Sequence, residues 1–467
     1  MRISGRRGKG WIISGLREGP RWLFLAGLIY APWAYGCTTS ETIAILNWLL
    51  GIVLTGWIAG MIATRRPPII PRTLFAIVAS LLLLGWWMVY NAHSVYDSVY
   101  YLFVPLNHLE VAPGSIDRLL SWAWMIRATT LLGVSCFVAD LITRREWLMR
   151  IWLGLGIAGG SIALLGLLQK ATGAQMIFWG PSSTPGGDYP FFATYYYHAN
   201  AGAFLNLVLP PAVGLAIRAF TKPEPPVLRS VCLTMALLTA VSVLANTSRM
   251  AQLLGVIMLL VIVLGPVRQA LRAISRTERN LAIAGAFLLM LTAFAVGQAS
   301  RLDRPWQRWQ QLQAQFPVDA RWMVAQAAWR GSGDAGWFGL GPGTFRVAFP
   351  YFTGYLGDRV NGVWHFLHED YLQTLLEWGR VGAGLWTAFL FGGIFVAIRH
   401  WRAPIAATWS PRRRTLLPLI VLPLLATAIH ATVDFPLQIA SIQLYVATYL
   451  GICWGSGKWR GTVGGGR

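Results

Sequence analysis

SVCLTMALLTAVSVLANTSRMAQLLGVIMLLVIVLGPV (230–267) holds two long apolar runs, 230–247 and 249–267, separated only by the polar turn Asn246-Thr247-Ser248-Arg249. A helix rises about 1.5 Å per residue, so about twenty apolar residues cross a hydrocarbon core of about 30 Å. The stretch therefore reads as a transmembrane hairpin. Outward from it, runs of the same kind lie at 22–36, 42–63, 73–91, 119–140, 152–169, 200–219, 280–298, 381–398, 415–434 and 437–456. A chain of 467 residues that is 55% hydrophobic and 12% charged has material for a large soluble core. Runs this long exceed what such a core uses.

Charge sets the orientation. Of 39 Lys and Arg, 27 lie at the two termini and in the 64–72, 143–150, 218–229, 268–279 and 399–414 gaps, all on one side of the threaded chain. The positive-inside rule makes that side the cytoplasm. Both termini are then cytoplasmic and the span count is even. The expected fold is all-α, a polytopic integral membrane helix bundle with about twelve transmembrane helices. The net charge of +21 invites a nucleic-acid partner. Its dispersal in short loops excludes that reading and points to anionic lipid headgroups instead. No small-residue cleavage site follows the first run, so it reads as an uncleaved span. Cys37, Cys136, Cys232 and Cys453 are scattered, with neither disulfide nor metal spacing.

Three outward stretches interrupt the pattern: 92–117, 170–199 and 299–379. The last is too long for a mere connector. Asp319 is placed to cap a helix through Arg321, Trp322, Val324, Ala325, Ala328 and Trp329. Glycines from Gly331 to Gly343 end it, and a second helix is expected over about 366–378, closing at Gly379. With Trp306, Trp309, Trp337, Trp364 and Trp378, this reads as a helical extracytoplasmic (periplasmic) lid at the membrane–water boundary. The expected division is 1–298 for spans 1–9, 299–379 for the lid carrying part of the active site, and 380–467 for spans 10–12 with a cytoplasmic tail.

Chemistry gathers on the outward side. Arg249 stands in the shortest outward turn, where insertion costs about 2.5–3.5 kcal/mol if the side chain is buried. Snorkelling anchors such a residue, and an anionic ligand offsets the same cost. Arg321 reads either as a solvated helix-face charge or as a second guanidinium fork for phosphate oxygens. In His365-Phe366-Leu367-His368-Glu369-Asp370, an imidazole is the side chain most readily poised as a base near neutral pH. Glu369 and Asp370 are placed to orient it or to meet sugar hydroxyls. The H-x-x-H-E order differs from the H-E-x-x-H of zinc proteases and no third ligand follows, so no metal is expected. Gly339-Leu340-Gly341-Pro342-Gly343 lacks the lysine of a P-loop and reads as a tight turn. No Asp-x-Asp pair offers a metal-held nucleotide-sugar seat, and no Walker sequence offers ATP. Arg127, Asp140 and Asp434 are ionisable groups at or near membrane depth. The two aspartates sit close enough to span ends for solvation.

At these residues the chain resembles the O-antigen ligase and O-antigen polymerase family of bacterial membrane glycosyltransferases, over roughly 195–450. HEDYLQTLLEWGRVG (368–382) is similar to the family's histidine segment, with Glu369 where an Asn is usual. TSRMAQLLG (247–255) resembles its Ser-Arg-Gly span start, with Met250 for the Gly. Arg321 to Trp329 followed by GLGPGTF (339–345) resembles its arginine helix and glycine turn. YYYHANAGAFLNLVLPP (195–211), which contains Asn200, and HATVDFPLQIASI (430–442) resemble flanking signatures. The resemblance implies inverting, metal-independent and cofactor-free transfer of a glycan from an undecaprenyl-pyrophosphate donor to an acceptor hydroxyl. The acceptor is lipid A-core or another glycan, in lipopolysaccharide or surface polysaccharide biosynthesis at the bacterial inner membrane. By that analogy Arg249 and Arg321 hold the pyrophosphate and His368 activates the acceptor. His365, Glu369, Asp370, Arg127 and Asn200 are supporting candidates.

Ligase and polymerase share this chemistry and both remain open, ligase first and polymerase close behind it. A transporter or flippase of lipid-linked sugars is the alternative of a different class. It calls for two halves related by a repeat, with charges near mid-membrane. The sequence displays no such repeat.

Overall fold

The computed structural model describes residues 4–180, 191–299, 309–310, 320–360 and 364–459. Apolar runs become helices throughout: α1 (Ser4–Trp33), α2 (Ser40–Thr64), α3 (Arg72–Tyr90), α4 (Arg118–Leu141), α5 (Arg145–Ala171), α6 (His198–Thr221), α7 (Pro226–Ala245), α8 (Arg249–Ala273) and α9 (Arg276–Ala299). Two shorter helices follow, α10 (Ala320–Gly331) and α11 (Phe345–Thr353). Then come α12 (Asp370–Arg402), α13 (Pro411–His430) and α14 (Ala440–Gly455). Among the described residues nine of these, α2 to α8 with α12 and α13, are long and apolar enough to cross a membrane. Helices α1, α9 and α14 cover the remaining three runs. Helix α14 is short because Pro436 opens a turn over Pro436–Gln438 where the apolar run begins.

The bundle is layered by burial. Every residue of α14 but Gln443 is buried, as is 78% of the apolar window of α6, against 22% in α2. The inner helices are thus clad by protein and the outer ones present apolar faces to lipid. Inner contacts use small residues and polar ties. A side chain at Gly451 would meet the Ser135 carbonyl at 2.7 Å. Tyr445 donates to the Leu28 carbonyl at 2.8 Å and Tyr449 to that of Leu207 at 2.8 Å, binding α14 to α1 and α6. A π-turn at Val263–Val267, containing Pro266, interrupts α8 where proline removes a backbone donor. The four cysteines are free and buried.

Two local features differ from the expectation. Residues 94–105 form a hairpin, β1 (Ser94–Asp97) antiparallel to β2 (Leu102–Pro105), with Tyr96 opposite Phe103. Asp97 caps its turn by accepting from the Val99 amide at 2.8 Å. The helix expected over 366–378 starts instead at Asp370 and runs on to Arg402 through a break at Gly379. His368 adopts a left-handed backbone, φ +62°, which ends any helix there, and Glu369 is the extended N-cap. The expected cap Asp319 lies outside the described residues. The apolar faces of α10 and α11 meet α12 through Val324, Ala328, Phe345, Phe349, Leu372 and Leu376. Trp322, Trp329 and Trp337 remain more than half exposed on the outer side.

Candidate active site

The site is built where three chain ends meet: the N-terminus of α12, the C-terminus of α13 and the N-terminus of α6. Asp370 stitches the first two together. Its amide donates to the Ala431 carbonyl at 2.9 Å. Its carboxylate accepts from the Leu437 amide at 2.8 Å and from Gln438 Nε2 at 3.1 Å. Glu369 accepts from the Leu372 amide as a helix cap. Burial pushes the Glu369 carboxyl up, against the pull of the Leu372 and Tyr371 amides. Among the described residues neither acid hydrogen-bonds the imidazole, so the expectation that they orient it is not met. Glu369 is occupied by backbone and Asp370 by backbone and Gln438, and they fix the place of His368.

Asp434 orients His368. Its Oδ1 lies 3.2 Å from His368 Nδ1, with side-chain exposures of 7% and 19% respectively. The aspartate expected to be solvated at a span end is therefore buried and paired. Its other oxygen accepts from the Tyr197 hydroxyl at 3.2 Å, and Arg321 Nη2 donates to that same hydroxyl at 3.0 Å. Arg321, Tyr197, Asp434 and His368 thus form one continuous hydrogen-bonded line. Phe435 locks it: Tyr197 stacks on its ring at 5.4 Å, Phe366 at 4.8 Å, and the imidazole meets it edge-on at 4.6 Å. Trp364 adds an edge contact to His368 at 5.5 Å.

The electrostatics favour one protonation pattern. Burial pushes Asp434 up, but the His368 bond and the charges of His430, His368 and Arg321 outweigh it, and the carboxyl lies below its ordinary value. Burial and the Asp434 carboxylate push the Tyr197 phenol up, so it stays a donor. An ionised Asp434 only accepts, so the hydrogen bond runs from His368 Nδ1–H to its Oδ1. Nε2, which makes no hydrogen bond among the described residues, then carries the lone pair.

The other sequence candidates fall into three places. Arg249 heads α8 behind the cap Ser248. Its turn is pinned by Asn246, which donates to the carbonyl of His198 at 2.9 Å. His198 adjoins Tyr197, so Arg249 shares the end of the bundle that carries His368. Asn200 is buried in the first turn of α6, its amide bonded to the Tyr197 carbonyl at 3.1 Å. Arg127 lies apart from the imidazole. It donates to the Gln438 carbonyl at 3.3 Å and stacks over Trp124. With His365, Phe366, Arg346 and Glu377 it walls a cavity of about 650 Å³ opening between α2 and α4.

The glycine turn already holds a carboxyl side chain. Gly339, Gly341 and Gly343 all have left-handed backbones, and the amides of Gly343 and Phe345 point at Glu377, at 3.0 and 3.2 Å. Gln373 donates to the same carboxylate at 3.1 Å, while its own Oε1 accepts from the Leu367 amide at 3.0 Å. Gly379, φ +61°, lets this segment close on the turn: a Cβ there would sit 2.4 Å from the Gly339 amide. The turn is therefore a backbone clamp behind the histidine segment. Among the described residues no three His, Cys, Asp or Glu side chains gather as a metal site requires.

Sequence reasoning missed Tyr197, Phe435 and the orienting role of Asp434. Their signal was present in the stretches 195–211 and 430–442, whose polar residues sit among apolar ones just outside spans. Residues 234–387, from α7 into α12, match the family model described as O-antigen ligase. The likeness read in 247–255, 321–329, 339–345 and 368–382 falls inside that match. No curated protein matches the chain. With its apolar helices the chain is a multi-pass membrane protein, and over the matched region, about a third of its length, it is similar to the O-antigen ligase family.

Proposed function

We propose that this protein is an inverting, metal-independent glycosyltransferase. It moves a glycan from an undecaprenyl-pyrophosphate donor to an acceptor hydroxyl at the periplasmic face of the bacterial inner membrane, with both termini cytoplasmic. The observation that carries the reading is the His368–Asp434 pair, continued through Tyr197 to Arg321. His368 Nε2 takes the acceptor O–H proton as the oxygen attacks the anomeric carbon from the face opposite the leaving group. The bond from that carbon to the phosphate oxygen breaks, and undecaprenyl pyrophosphate departs with the electron pair. Arg249 and Arg321 meet the diphosphate charge, which a guanidinium fork matches without a metal. Asp434 stabilises the imidazolium, a role familiar from acid–histidine pairs. The division into spans 1–9, a lid and spans 10–12 follows this reading, the lid bringing Arg321 to the membrane-borne donor.

Purified protein given undecaprenyl-pyrophosphate glycan and an acceptor should release the carrier pyrophosphate with EDTA present. Loss of turnover in chelator, restored by added metal, overturns the metal-free step. The products also separate the two acceptor classes. A ladder grown from single repeats indicates polymerisation, and chains of unchanged length on a new anchor indicate ligation.

A further inference from the structure

At the end of the bundle opposite His368, the structure holds a second charged cavity that the transfer chemistry does not use. The start of α2 lines the cavity beside His365, whereas its last turns, with the end of α4 and residues 16–21 of α1, line this one. Its volume is about 290 Å³. Four arginines from three segments converge on it: Arg17 and Arg21 from α1, Arg66 from the loop after α2, and Arg144 after α4. One carboxylate, Asp140, faces them, and its oxygens are occupied. Oδ1 accepts from the Ile69 amide at 2.8 Å and Oδ2 from Trp57 Nε1 at 3.1 Å. Among the described residues no ion pair joins Asp140 to any of the four arginines. Arg21 is 9% exposed, bonded to Glu18 at 2.6 Å and seated over Trp147 at 5.5 Å. The side chains of Arg17, Arg66 and Arg144 donate no hydrogen bond among the described residues.

This differs from dispersed topological charge. Loop arginines that only set orientation gain by spreading into solvent, away from one another. Here they share one concavity with an apolar floor of Leu16, Pro20 and Phe137. We propose that this cavity is a binding site for a phosphate mono- or diester of net negative charge at the membrane interface on the charge-rich side. Guanidinium forks suit phosphate oxygens, and basic pockets between transmembrane helices seat anionic headgroups. The headgroup of an anionic glycerophospholipid and a soluble phosphate share that chemistry. The site is independent of the glycosyl-transfer reading and stands or falls without it.

The test uses the detergent-purified full chain in native mass spectrometry, with phosphatidylglycerol, phosphatidylcholine and inorganic phosphate as probes. Phosphatidylglycerol should be retained at least tenfold more strongly than phosphatidylcholine, and Arg66→Gln with Arg144→Gln should remove that preference. If millimolar inorganic phosphate binds and displaces the lipid, the source is soluble phosphate; if the lipid is retained regardless, the source is the headgroup. Arg66 is exposed on a loop, so Arg66→Gln alone reports binding where the double variant fails to fold. Equal retention of both lipids with no phosphate binding, or an anion preference unchanged in Arg66→Gln and the double variant, overturns the proposal.

Discussion

Asp434 and Glu377 are both buried carboxylates close to the histidine segment, yet their surroundings differ in kind. Glu377 accepts from two backbone amides and the Gln373 amide, donors that never change charge. Asp434 accepts from an imidazole and a phenol, and also from its neighbouring Phe435 amide at 3.0 Å. A carboxylate saturated by amides holds a shape. One bonded to an imidazole responds when that imidazole gains a proton. The contrast separates a clamp from a chemical group more sharply than burial does, since both acids are buried.

The comparison breaks first at His368. Replacing it with alanine should lower the transfer rate by about 10²–10⁴, the usual contribution of a positioned base, with donor binding preserved in an equilibrium assay. Normal turnover in a correctly inserted His368→Ala protein would remove the base assignment. Asp434→Asn should follow with a loss of roughly ten- to hundredfold, the value of a charged hydrogen bond of about 1.5–3 kcal/mol. Glu377→Gln should behave oppositely. It sets an amide donor against the Gly343 or Phe345 N–H and should cost about 1–3 kcal/mol of stability, read as a lower thermal midpoint, with turnover of the folded fraction near normal. A dead but fully stable Glu377→Gln protein would erase the distinction between the two acids.

Smaller effects sharpen it. Arg321→Lys keeps a charge but loses the fork, and should raise the donor KM severalfold while leaving kcat less affected. An unchanged KM would detach Arg321 from the diphosphate. The pH dependence is smaller still. Asp434 titrates below its unfolded value, so the stability it contributes is complete above an unfolded pKa of about 3.9 and is lost as pH falls through its lower folded value. The thermal midpoint difference between wild type and Asp434→Asn should hold steady from pH 7 to about pH 5 and shrink below about pH 4. Shrinkage already near neutrality would contradict a depressed Asp434.

The sequence by itself determined the membrane class, the helical runs and the charge-marked side, and it singled out His368 and Arg321 as candidates. Each of these is local: hydropathy over one helix length, or a residue type beside a span. Tertiary structure decided what a single segment cannot encode. The Asp434–His368 pair spans 66 residues and the Arg321–Tyr197 bond spans 124. Adjacency misled for Glu369 and Asp370: Glu369 turns to the unsatisfied amides of its own helix start, and Asp370 is drawn across the fold to the Leu437 amide and Gln438. The partner of His368 came instead from the next helix's far end, where packing rather than sequence distance sets which groups meet.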